Sequence, residues 1–128
     1  METINIPISP GELLDKITIL EIKCEHITDA TKLANVKTEL DLLGTIWNNT
    51  SQSSELEDLK QELHENNQTL WDIEDKIRIK ESNKEFDQVF IELARSVYIQ
   101  NDKRAETKKK INLKLGSEIV EEKSYADY

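Results

Sequence analysis

Residues 80–86, Lys80-Glu81-Ser82-Asn83-Lys84-Glu85-Phe86, interrupt two long helical patterns, and whether the chain reverses there decides the fold. On the amino-terminal side Leu56, Leu59, Leu63, Leu70, Ile73 and Ile77 step by three and four residues, a heptad-like seam broken only where Asn66 takes an apolar place. On the other side Phe86, Val89, Phe90, Leu93, Val97, Ile111 and Leu115 carry helical spacing until Gly116 stops it. Ser82 and Glu85 have the spacing of a capping box that opens the second pattern. A reversal at Lys84 therefore lays two helices, about 55–81 and 86–115, side by side as an antiparallel hairpin roughly 40 Å long.

A shorter hairpin precedes it. Ser9 can cap a first helix from about Pro10 to Ile27, with Pro10 suited to the first helical position and Glu12 completing a capping box. Its apolar positions run almost all round, which predicts a central helix. Thr28 and Asp29 can cap a second helix, about Ala30 to Asn48, with Leu33, Val36, Leu40, Leu43 and Trp47 on one face. The connector from Asn48 to Ser54 reads as the mobile segment, and Ser54 with Glu57 as the cap of the third helix. The fold class is all-α: one helical domain, residues 1–128, of four helices in two antiparallel hairpins, with an extended arm at 1–8 and a tail at 117–128. Ile119, Val120, Tyr125 and Tyr128 let that tail lie against the bundle and pair with the strand-like arm.

Composition agrees. Hydrophobic residues make up 37% of the 128 and charged residues 34%, so the core is thin. Only 3 Gly and 2 Pro occur, too few for a turn-rich sandwich or barrel. No apolar run is long enough for a spanning helix or a secretory signal, and Cys24 is the only cysteine, which together point to a cytoplasmic protein with no membrane partner.

The formal charge is −9, which disfavours nucleic acid as a partner. Lys103 to Lys114 holds six bases against Glu106, yet an antiparallel hairpin sets this run beside Glu55 to Glu65, with five acids and Lys60, so the charges answer each other internally. Acid pairs at i and i+3, such as Glu12/Asp15 and Asp72/Asp75, number five, about what chance supplies, and neither His26 nor His64 extends one into a metal motif. No metal site and no cofactor is expected. The glycines, at 11, 44 and 116, are too scattered for a phosphate-cradling loop, and no nucleophile elbow occurs.

One polar constellation stands out. Asn67, Trp71, Glu74 and Arg78 form a stripe beside the Leu70, Ile73, Ile77 seam, flanked by Asp75. On the fourth helix Arg95, Tyr98, Asn101, Asp102 and Arg104 occupy the stretch where apolar residues fade, opposite Asn66. Such a layer either fixes helix register through satisfied hydrogen bonds or builds a pocket for a small anionic ligand on Arg95 and Arg104, with Tyr98 and Asn101 as orienting donors. Trp71, Glu74, Arg78, Arg95, Tyr98, Asn101, Asp102 and Arg104 are the candidate site residues.

The blocks Ser9 to Lys23, Leu70 to Arg78, Glu92 to Arg95, Asn101 to Ala105 and Val120 to Tyr125 resemble a family of small uncharacterised bacterial proteins over nearly the whole chain. The resemblance implies a bacterial or phage origin and no particular chemistry. The first functional reading is a non-enzymatic helical binding or interaction module. The alternative is an enzyme or binding protein for a small phosphorylated or carboxylated molecule, a metal-dependent all-α phosphohydrolase included. Because the second hairpin outreaches the first, the seam around Leu56, Leu59, Ile111 and Leu115 should overhang and expose apolar area, which predicts a homodimer.

Overall fold

The computed structural model describes residues 1–50 and 53–128, the side chains of residues 53 and 54 excepted. Among the described residues the chain forms α1 (Pro10–His26), α2 (Ala30–Asn48), α3 (Glu57–Ser82) and α4 (Gln88–Lys114), with a 3-10 turn at Ser53–Leu56 and no strand. α1 pairs with α2 and α3 with α4, giving the two hairpins expected, and α1 also packs on both α3 and α4.

The central place of α1 follows from its sequence. Leu13, Leu14, Ile17, Leu20 and Ile22 are all buried and point to different sides of one helix, so every neighbour gains an apolar surface to cover. Trp47 of α2, Leu63 of α3, Ile111 of α4 and Leu56 close the core around it. Ser9 caps the helix, its hydroxyl accepting the Glu12 amide at 3.2 Å. The next free amide, that of Gly11, donates to the Asn112 side-chain oxygen at 2.7 Å, which docks the start of α1 onto the last turns of α4.

Asp29 caps α2, accepting from the Lys32 amide at 2.9 Å. Val36 and Trp47 are buried on the face turned to α1, whereas Leu42 and Ile46 stay exposed. The amino-terminal residues are extended, and Ile4 and Ile6 with Leu42, Ile46 and Trp47 line an apolar groove of about 940 Å³.

The reversal falls where the sequence predicts it. Lys84 takes φ 54°, the Glu85 amide donates to the Lys80 carbonyl at 3.0 Å, and α3 ends in the hydrogen-bonded left-handed turn that usually favours glycine. The cap of α4 differs from expectation. Ser82 remains helical in the last turn of α3, so it cannot cap; Asp87 does so, accepting from the Phe90 amide at 3.0 Å, and α4 starts at Gln88. At its other end α3 starts at Glu57 with Leu56 at the cap position and no capping side chain; the Ser54 side chain and residues 51 and 52 of the connector lie outside the described residues.

Two further expectations are corrected. The overhang is at the opposite end of the long hairpin: Leu56 and Ile111 are buried, and Leu59 and Leu115 pack against the core. Docking of Gly11 near the end of α4 brings the short hairpin over the open end, and α1 stops at His26, whose ring stacks on Trp71 with centroids 4.9 Å apart. Beyond that level α3 and α4 continue as a two-helix arm, and no residue from 68 to 106 is buried. The tail, in turn, does not pair with the amino-terminal arm. Gly116 at φ 62° turns it back along α4, where Lys108 and Lys109 hold Glu121 and Glu122 at 3.1 Å each and the Tyr128 hydroxyl donates to Asp102.

Candidate functional site

Where α1 crosses the long hairpin, an acid lies inside the apolar surface. The Asp15 side chain is 2% exposed, and Arg104 closes a two-pronged pair on it: Nε donates to Oδ1 at 2.8 Å and Nη2 to Oδ2. Asn67 gives its amide hydrogens to Asp15 Oδ1 at 3.0 Å and to the Thr18 hydroxyl at 2.9 Å, and that hydroxyl donates to the Asp15 carbonyl. Lys108 stands 3.8 Å from Asp15 and bonds Glu12 at 2.7 Å and Glu121 at 3.1 Å.

Burial is the largest single influence on the Asp15 carboxyl and pushes its pKa up; the bonds from Arg104 and Asn67 and the charges of Arg104 and Lys108 outweigh it and hold the pKa below the usual range. Arg104 is raised, mainly by its bond to Asp15. For Lys108 burial again acts first, downward, and Glu12, Asp15 and Glu121 together turn the shift upward. All three are therefore charged at neutral pH, and the junction is a closed ionic network.

Directly beside it, through the neighbours of Asn67 and Lys108, lies the polar layer read from Asn66. Its amide donates to the Thr107 hydroxyl at 2.9 Å and its oxygen accepts from Gln100 at 2.9 Å. This is a satisfied layer that fixes the register of α3 on α4.

Five of the eight candidate residues come together. Trp71, Glu74, Arg78, Asn101 and Arg104 line a cleft of about 530 Å³ between α1, α3 and α4, with Ile19, Ile22, Leu70, Asn67 and Asp75. The other three do not join it. Tyr98 packs edge-on against Tyr128 at 5.0 Å and Asp102 accepts from Tyr128, so both face the tail, while Arg95 is exposed further along the arm. The Arg104 guanidinium is engaged by Asp15 and, at 3.4 Å, by Asn101.

Asp15, Lys108, Gly11 and Asn112 were not among the candidates. Asp15 did carry a signal, an acid set between Leu14 and Ile17 on an otherwise apolar face. The basic run is answered chiefly by Glu12, Asp15, Glu121 and Glu122; of the Glu55 to Glu65 segment, Glu62 alone reaches it among the described residues, 3.6 Å from Lys110. No three His, Cys, Asp or Glu side chains among the described residues converge as a metal site, and no helix is long and apolar enough to cross a membrane.

Fold and site together define a small all-α module with a buried ionic junction and a cleft at the root of a two-helix arm. The chain belongs to a family of unknown function (DUF6165), whose model matches residues 4–128. No curated protein and no solved structure matches it.

Proposed function

We propose that this protein is a helical interaction module that works as a homodimer, joined through the exposed face of the α3–α4 arm. One observation carries the reading: Leu70, Ile73 and Ile77 on α3 and Phe90, Leu93 and Val97 on α4 keep helical apolar spacing through a stretch in which nothing is buried. Ile79, Phe86, Val89 and Ile91 around it are each about half exposed or more, at 53%, 57%, 50% and 47%. The accessible surface supports a second copy as the occupant. The chain exposes 8909 Å², about 1,900 Å² more than the roughly 7,000 Å² of a compact 14.8 kDa monomer, and a standard interface covers about 800 Å² per partner.

Charge supports the same choice. Residues 72–95 carry seven acids and five bases in a chain of net −9, so two arms related by a two-fold axis meet without a wall of like charge. The reading includes a cytoplasmic location, supported by the single Cys24, and no role for nucleic acid, supported by the internal pairing of Arg104, Lys108 and Lys109. A dimer that couples folding to association melts at a higher temperature as it is concentrated. Between about 1 and 100 μM the melting temperature should rise by several degrees; a constant value would overturn the proposal.

A further inference from the structure

We infer, resting on the homodimer just proposed, that its two arms pair antiparallel with Ala94 of α4 at the two-fold axis, so that Glu74 and Arg78 of each copy meet Arg78 and Glu74 of the other. The side of the arm is set by α1. On α4 the residues that face α1 are Asn112, Lys108 and Arg104, which hold Gly11, Glu12 and Asp15. The same helical stripe continues outward in steps of three and four through Asn101, Val97, Ala94 and Phe90, none of them buried.

Shape sets the direction. α1, with α2 packed on it, stands on this side of the long hairpin and ends where His26 stacks on Trp71. The bare arm therefore begins at a step at least one helix layer deep, about 8–10 Å. Two copies set parallel on this side would bring short hairpin against short hairpin and hold the arms apart. Set antiparallel, each arm lies in the step of the other, and its tip comes against the end of α1.

The side chains are self-complementary about one point, as a two-fold contact requires. Phe90 and Val97 flank Ala94 on the stripe, so Phe90 of each copy lies over Val97 of the other, and the small Ala94 lets the backbones approach. Asn66 bonds both Gln100 and Thr107, which puts Ala94 level with about residue 76 of α3, midway between Glu74 and Arg78. Both line the α1 side of α3, where they pair within the chain at 3.3 Å. Reversal about that level sets each acid opposite the base of the other copy, the charge complementarity that selects a second copy as the occupant.

Disulfide formation tests the pairing in the full-length Cys24→Ser chain, which lacks the only native cysteine. A residue on a two-fold axis faces its own counterpart, so Ala94→Cys in that background should link two chains under diamide. Lys84→Cys, at the tip, would stand about 30 Å from its counterpart and should link at least about tenfold more slowly. Light scattering of the Cys24→Ser chain separates the two levels. A dimer in which Ala94→Cys does not link, or in which Lys84→Cys links as fast, overturns the antiparallel pairing and leaves the dimer standing. A monomer overturns both.

Discussion

The Gly11 amide and the Asn112 side chain meet at 2.7 Å, and the helices behind them are so close that a Cβ on Gly11 would stand 2.6 Å from the Lys108 carbonyl oxygen. Only glycine fits there. Gly11→Ala should therefore cost about 1–3 kcal/mol by overpacking, despite the better helix propensity of alanine. Gly44 gives the contrast: nothing lies within 4 Å of its missing Cβ, in the middle of α2, so Gly44→Ala should stabilise by about 0.5–1 kcal/mol. Urea midpoints of the two variants measure both effects.

The Asp15–Arg104 pair predicts an acid limb. The folded chain holds Asp15 below its unfolded value of about 3.9, so the unfolded state binds more protons in acid. Its contribution is complete above about pH 4 and falls away as pH drops through the lower folded pKa. Denaturant midpoints between about pH 6 and 2 should show this loss, and Asp15→Asn should flatten that limb. The variant should also lose about 2–4 kcal/mol at neutral pH, since Arg104 keeps its charge with its main partner gone.

Lys84 sits at φ 54° without being glycine. Its side chain, 73% exposed, has only an exposed pair with Glu81 at 3.6 Å to lose. Lys84→Gly should raise stability by about 0.5–1 kcal/mol, read as a higher denaturant midpoint with the same slope.

These positions also mark what can be read from residue order. The four helices, the central α1 and the reversal at Lys84 follow from apolar spacing, and the starts of α1 and α2 from their caps at Ser9 and Asp29, all of which act within a turn or two of the chain. The end at which the long hairpin overhangs does not. It depends on the Gly11–Asn112 contact across 101 residues, for which the sequence offers only a small residue near a helix start. The cleft was half legible for a similar reason. Trp71, Glu74, Arg78, Asn101 and Arg104 share helical faces that α1 then roofs, but the partner that engages Arg104 sits on another helix, in the disguise of one acid among 26. Helical spacing likewise set Tyr98 and Asp102 beside Arg104, while the return of the tail after Gly116 took both to a different surface.

Light scattering of the purified chain at about 100 μM tests the central claim most directly. The arm pairing predicts a mass about twice 14.8 kDa, falling to the monomer value in Val89→Glu, an exposed position whose loss leaves helicity intact. A wild-type mass of 14.8 kDa at that concentration would contradict it.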